Sequence, residues 1–489
     1  MTVSYAVSVV VTLVLSSFLL ATPQTARAAL TAEDVELVIR TAATAIDATT
    51  AVIAVTDREG IVLGVFRKLG GSSRDADLAV SLARTGGFFS NDEAPLSSRT
   101  VRFISGRNFI PGVANTGASD LWDIEHTNRG CTLSRSYSPG QEISLSRSLG
   151  GGVGIGITTG KVDLADSDPL AVNPGGVPIF KDRGLVGGIG VAGVPAPVAE
   201  FAAVTGSQPD SRFGAKPAPP GKVVLEGVDL PFVVQKTPPA GTGPGDFNGD
   251  YIVTPRGSPR GGVPDGYLVG PLGSPELSPA DVDRIVQQSV ATALRTRAAI
   301  RLPPGRPTRM VIGVSDLQGN IIGLFRMADS TVFSIDVAAT KARNVIYFSS
   351  SRLDPRDLPG VPPGTAVSSR TINFGSQPFY PPGIDQGIRP GPFFDLLVRN
   401  AARPCTQGFD SENRQNQSGI VFFPGAAPLY RNGQLLGGLG ISGDGVSQDD
   451  VVTEGGTRGF EAPPGIRADQ LTIQGIRLPY FKFIRAPDR

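Results

Sequence analysis

His126 is the single histidine of the chain and stands in Asp123-Ile124-Glu125-His126-Thr127, close to the single tryptophan, Trp122, and to Cys131. An imidazole can ligate iron or zinc, but one histidine is too few for an all-protein zinc site, which takes four ligands. Asp75, Asp77, Asp92 and Glu93 bring carboxylates into the same part of the chain. Their spacing does not select an acid/base pair over a solvated surface. The glycine run between Ser148 and Gly156 has no strand, turn and long helix around it, so a dinucleotide loop is rejected in favour of tight packing. Asp246-Phe247-Asn248-Gly249-Asp250 begins like a calcium loop but lacks the late glutamate, and an Asx turn explains it better. Gln448-Asp449-Asp450 lies at a helix start, where Ser447 would cap and the aspartates would favour the positive end.

Cys131 and Cys405 are the only cysteines, and each is followed by threonine. In a secreted chain two cysteines most simply form a disulfide, here expected to clamp the two halves of the protein. Closing so long a loop would contribute roughly 5 kcal/mol before native strain is subtracted. Secretion is expected from the first residues. An apolar run from Val7 to Leu20 is followed by the small-x-small signal Ala26-Arg27-Ala28, so residues 1–28 form a secretory signal peptide and the mature protein is secreted or periplasmic. An uncleaved anchor competes with this, because the n-region carries no Lys or Arg, although the run is short for a span. With 45 basic against 44 acidic residues there is no electrostatic case for nucleic acid.

The elements that would position these residues repeat. Gly176 to Gly193 returns at equal length as Ala426 to Gly443, Ala51 to Arg67 returns as Met310 to Arg326, and Ser97 to Phe103 returns as Ser368 to Phe374. Matched blocks in one order argue for tandem duplication and an internal pseudo-dimer. The first block predicts hairpins turning at Asp182-Arg183-Gly184 and Asn432-Gly433. Thr31 with Asp34, and Ser278 with Pro279 and Asp281, predict capped amphipathic helices that open each half. A helix is predicted over 74–85, stopped by Gly86-Gly87, and its counterpart over 329–343. The expected organisation is a first domain over 29–206, a Pro/Gly-rich connector over 207–277 and a second domain over 278–489, with long insertions in both domains.

Ala426 to Val452, together with Asp316 to Met327, Ser334 and Ala338 to Ala342, resembles the GlcG/HbpS haem-binding domain family. Asp57 to Arg67 and Gly176 to Gly193 carry the resemblance in the first half, whose closing segment, Pro195 to Thr205, lacks the Gln-Asp-Asp sequence. The resemblance implies an α/β (α+β) sandwich with helices packed on a central, largely antiparallel sheet, duplicated as a pseudo-dimer, and a tendency to oligomerise. It also makes haem the leading candidate ligand. The cofactor-binding candidates are His126, Met327, Arg326 and Thr331, although His126 reads better as a loop residue without a cofactor role and Met327 as packed against the core. Three functions follow: a secreted small-molecule-binding protein, a structural or interaction scaffold, and an enzyme on small organic acids or diols in which Arg326 or Asp336 would take part.

Overall fold

The computed structural model describes residues 29–106, 108–111, 113, 116–124, 174–214, 223–259, 264–382, 389–402, 419–482, 484 and 487. The signal segment, His126, Cys131, Cys405 and the glycine run at 148–156 lie outside them.

The described chain folds as two antiparallel five-stranded sheets of the same order, each covered by helices on both faces. The first half runs α1 (Ala32–Thr44), β1 (Val52–Asp57), β2 (Val62–Lys68), α2 (Ser73–Phe89), α3 (Ser98–Ser105), β3 (Gly176–Lys181), β4 (Gly184–Ala192) and α4 (Ala196–Ser207). A short hairpin follows, β5 (Val224–Leu225) with β6 (Val228–Asp229), and then β7 (Gly249–Val253), which pairs with β2. The second half starts with β8 (Gly266–Val269) and continues through α5 (Pro279–Ala293), β9 (Met310–Asp316), β10 (Ile321–Arg326), α6 (Phe333–Ser349), α7 (Ser369–Gly375) and α8 (Phe394–Ala402). It ends with β11 (Ala426–Arg431), β12 (Gln434–Gly443), α9 (Val446–Gly456) and a closing hairpin, β13 (Thr472–Ile473) with β14 (Ile476–Arg477). Sheet order is β3-β4-β1-β2-β7 in one half and β11-β12-β9-β10-β8 in the other.

The central strands are apolar throughout because both of their faces are covered. Ile53 and Val55 of β1 pack with Val35, Val38 and Ile39 of α1, while Val52 and Ala54 pack with Ala76, Ala79 and Ala83 of α2. The capping boxes form as the sequence predicts: Thr31 and Asp34 exchange hydrogen bonds at α1, and Ser278 and Asp281 do so at α5. Both hairpin turns adopt left-handed backbone, with φ of 50° and 68° at Asp182 and Arg183 and 53° and 78° at Asn432 and Gly433, which matches strand twist.

Helices α2 and α6 run along the glycine-rich strands at a distance only glycine permits. A Cβ on Gly190 would lie 1.9 Å from the Ala79 carbonyl oxygen, and one on Gly440 would lie 2.1 Å from that of Ala338. Gly86 and Gly87 do not stop α2, contrary to expectation. The helix continues to Phe89, and a Cβ at Gly86 would meet the Val177 carbonyl carbon at 2.6 Å, so this glycine serves close approach to β3. Ser447 does not cap α9 either, since the helix begins one residue before it and Gly445, at φ 137°, holds the cap position.

Part of the stretch expected as connector is structured and shared. β7 closes one edge of the first sheet and β8 one edge of the second. The two halves also anchor their hairpins identically. Thr100 Oγ1 donates to the Pro231 carbonyl at 2.6 Å, Thr371 Oγ1 donates to that of Pro479 at 2.7 Å, and Ser97 and Ser368 make the neighbouring bonds to Phe232 and Tyr480. Asp246 forms an Asx turn, accepting from the Asn248 amide at 3.3 Å. Among the described residues there is no cluster of metal-ligating side chains, and no helix is long and apolar enough to cross a membrane.

Candidate functional site

The C-terminal end of α6, the β9–β10 turn and the β11–β12 hairpin border an open cleft of about 460 Å³, within the roughly 300–1,000 Å³ of small-molecule sites. Leu317 from the turn, Ile346 from α6 and Leu435 with Tyr430 from the hairpin form apolar walls, and Ile466 from the closing segment adds to them. Ser349, Ser350, Ser351 and Arg352 supply the polar side. Two of these hydroxyls are committed to the backbone: Ser349 Oγ donates to the Val367 carbonyl at 3.3 Å and Ser350 Oγ to that of Tyr347 at 2.9 Å. Arg352 is exposed and has no ion-pair partner among the described residues. Burial pushes the Tyr430 phenol up to about 12, so it faces the cleft as a neutral group.

The corresponding place in the first half is filled by the second half. Buried contacts of the same kind establish the correspondence: Arg84 Nε donates to the Gly60 carbonyl at 3.0 Å and Arg343 Nε to that of Gly319 at 2.9 Å. Burial pulls both guanidiniums down to about 10. Where the cleft has Leu317, Ser351 and Arg352, the first half has Arg58, Asp92 and Glu93. The Asp329 carboxylate enters there, 3.0 Å from Arg58 Nη2 and 3.2 Å from the Asp92 amide. Arg301 bridges the junction, with Nη1 at 2.7 Å from Asp329 and 3.1 Å from Glu93, and Nε at 2.5 Å from Asp444. Burial alone would raise Asp329, but Arg58 and Arg301 hold it down to about 2. Asp444, wholly sealed, is pushed up by burial to about 6 despite Arg301. Phe89 stacks on Phe333 beside this cluster, with ring centroids 4.2 Å apart. A second junction joins Asp120 to Arg370 and Lys482, both at 2.9 Å, and stacks Trp122 on Phe394.

The sequence candidates that can be placed form a separate group. Arg326, Met327 and Thr331 sit at the far end of β10 from Leu317, a six-residue strand of about 20 Å. Arg326 donates to the carbonyls of Pro264 at 3.2 Å and Ser330 at 2.5 Å. The Met327 sulfur accepts the Met310 amide at 3.4 Å, and the side chain packs in the second half's core with Ile312, Leu439 and Ile441. Thr331 shares a hydrogen bond of 2.7 Å with Ser334, which Ser442 joins at 3.0 Å. Asp336 is sealed inside α6 and pushed up to about 7 by burial, with Arg343 only partly countering it. None of these residues lines the cleft.

Asp449 lies in the first turn of α9 as expected, and both it and Asp450 are also buried ion-pair partners. Asp449 lies 3.0 Å from Lys341 Nζ and Asp450 lies 2.7 Å from Arg370 Nε. Burial pushes Asp449 up to about 7 and lowers Lys341. The first half keeps only the second of these pairs, as Arg99 with Glu200 at 2.6 Å, and has Leu82 and Ala199 where Lys341 and Asp449 stand. The cleft had no signature of its own in the sequence; its one readable signal is the replacement of Arg58, Asp92 and Glu93 by Leu317, Ser351 and Arg352 between otherwise matched blocks.

A family model described as "Haem degrading protein HbpS-like" matches residues 285–458, which include every cleft residue except Ile466. No curated protein matches the chain. Among solved structures, a PduOC–haem complex is 19% identical with a TM-score of 0.24, covering 38% of this chain and 96% of its own. The Klebsiella pneumoniae protein ORFY, of the DUF336 family model, is 19% identical with a TM-score of 0.24 over 38% and 90%. A double mutant of Streptomyces reticuli HbpS is 13% identical with a TM-score of 0.22 over 38% and 88%. The family model amounts to a distant HbpS-like homology over residues 285–458, part of the chain.

Proposed function

We propose that the chain is a secreted or periplasmic small-molecule-binding protein, built by tandem duplication, in which the second copy holds the ligand and the first copy's equivalent site has become an internal joint. The observation that carries this reading is the open cleft of the second half, set against the filled one of the first. Haem or a related flat molecule is the leading ligand, on the strength of the family model's description. The residues present suit it in part: Leu317, Ile346 and Leu435 offer apolar walls to a porphyrin, and Arg352 at the rim offers a cation to its propionates. Among the described residues the lining contains no His, Met or Cys, so none of them is assigned as an iron ligand.

Titration of the mature, oxidised protein with haemin tests the proposal. A saturable Soret shift at one haem per chain, weakened about tenfold or more by Arg352→Ala or Leu435→Glu, is the expected result. Non-saturating spectra, or saturable binding that only Met327→Ala or His126→Ala alters, would remove the cleft from the mechanism. Intact-mass analysis of the exported protein checks for a chain starting at Ala29, and non-reducing peptide mapping checks for a Cys131–Cys405 bond. The scaffold reading draws on the ion-paired junctions between halves and gains if no small molecule binds.

A further inference from the structure

We propose that the cleft is a carboxylate site, and that its ligand is an organic carboxylate on an apolar body. The inference rests on the reading of the cleft as a ligand site and adds the chemical class. Its basis is that the first half already contains such a complex, with the carboxylate supplied by the protein itself.

In the first half the Asn91 side chain accepts the Glu93 amide at 2.8 Å, forming an Asx turn. That turn presents the intervening amide, of Asp92, to both oxygens of the Asp329 carboxylate at 3.2 Å. Arg58 supplies the cation. The second half repeats the turn with a serine: Ser350 Oγ accepts the Arg352 amide at 3.2 Å. The intervening amide is that of Ser351, and no acceptor meets it among the described residues. The donor that holds an anion in one half is therefore unoccupied by protein in the other, and it lies at the wall of a cleft.

The charges have changed to suit a free ligand. Glu93 meets Arg301 and Arg306 of the internal plug. Arg352, at the matching position, would repel those arginines and attract an anion. Leu317 replaces Arg58, so the cation has moved from one flank of the turn to the other while the opposite wall has become apolar. With the Ser349 and Ser350 hydroxyls already engaged by the backbone, the remaining polar groups at the wall are the Ser351 amide and hydroxyl, the neutral Tyr430 phenol and the Arg352 guanidinium. An amide and a guanidinium are donors only, which selects an acceptor, and the guanidinium favours an ionised one.

The test compares 2-naphthoate with its neutral isostere 2-naphthamide, by fluorescence titration of the full mature chain. The expected result is naphthoate bound at least tenfold more tightly, with Arg352→Ala abolishing the difference at unchanged melting temperature. Leu435→Glu, which puts a carboxylate into the cleft, should lower naphthoate affinity tenfold or more. Arg356→Ala, an exposed arginine paired with Asp354 outside the cleft, should change nothing. Equal binding of the two probes, sensitive to Leu435→Glu, overturns the carboxylate class and leaves the ligand cleft standing. Binding of neither at millimolar concentration, or binding indifferent to all cleft substitutions, overturns the carboxylate proposal, and the ligand cleft falls with it only if haemin also fails to bind there.

Discussion

Replacing Gly440 by alanine tests whether the glycine-rich strand exists to let a helix approach. The added Cβ would lie 2.1 Å from the Ala338 carbonyl oxygen and 2.6 Å from the Ala342 amide nitrogen, both backbone atoms of α6. Even a close carbon–oxygen contact is about 3.3 Å, so helix and strand must separate by about 1 Å. A gap of about 0.5–1 Å forfeits a quarter to a half of each dispersion contact across it. Overpacking of this kind costs typically about 1–3 kcal/mol, and an obstacle made of backbone belongs at the upper end. Loss of glycine also restricts the unfolded chain, which offsets about 0.4–1 kcal/mol. The net expectation is a destabilisation of about 2 kcal/mol. Gly465→Ala is the control, since nothing lies within 4 Å of its Cβ, and only the favourable term should survive. Urea unfolding followed by circular dichroism measures both. A Gly440→Ala midpoint at or above wild type would refute the packing argument, and Gly190→Ala, with 1.9 Å to Ala79, should repeat the result in the first half.

Arg301→Ala leaves the sealed Asp444 without its ion-pair partner, and breaking a buried pair of this kind costs about 3–5 kcal/mol. Loosening of the halves should then expose Trp122, the single tryptophan, stacked on Phe394, and a red shift of its emission at sub-denaturing urea is the readout. Lys341→Leu alone should destabilise by a similar amount, while Lys341→Leu with Asp449→Ala, the residues the first half uses, should recover most of the loss in a double-mutant cycle. Asp336 sets a pH dependence. Its folded value is raised to about 7 from 3.8, so its contribution is complete below about 4 and is lost as pH rises towards 7. Asp336→Asn should flatten stability across that window and gain up to about 4 kcal/mol at about pH 8, measured as urea midpoints at about pH 5 and 8. Asp329 has the opposite sign: held down to about 2, it stabilises above the ordinary carboxylate range and loses that contribution as pH falls towards 2.

What local chemistry determines was legible in the sequence. Thr31 with Asp34, Ser278 with Asp281, and the turns at Asp182 and Asn432 depend on neighbours within a few residues, and they form where expected. Gly86-Gly87 misled because glycine has two uses, ending helices and allowing backbones to touch, and only the distant β3 decides between them. Asp449 and Asp450 stand at a helix start as expected, but their ion pairing was hidden for a related reason. Their partners, Lys341 and Arg370, are far away in the chain, and a carboxylate near a helix start carries no local mark of burial. The cleft was illegible because it is an absence of filling, produced by substitutions at Leu317, Ser351 and Arg352 that are unremarkable one at a time.

The edge strands β7 and β8 bear on how the protein can be divided. β7 follows the half whose sheet it completes, whereas β8 precedes its own, and both come from one short segment in the middle of the chain. A cut placed between 206 and 249 would strip β2 of its outer neighbour, leaving only β1, and a cut placed between 269 and 278 would do the same to β10, leaving only β9. Each bared strand would offer an unpaired row of amides and carbonyls to other chains. The middle segment thus acts as a double hem, and a cut between β7 and β8, over 254–265, is the one that leaves each edge strand joined to the sheet it completes.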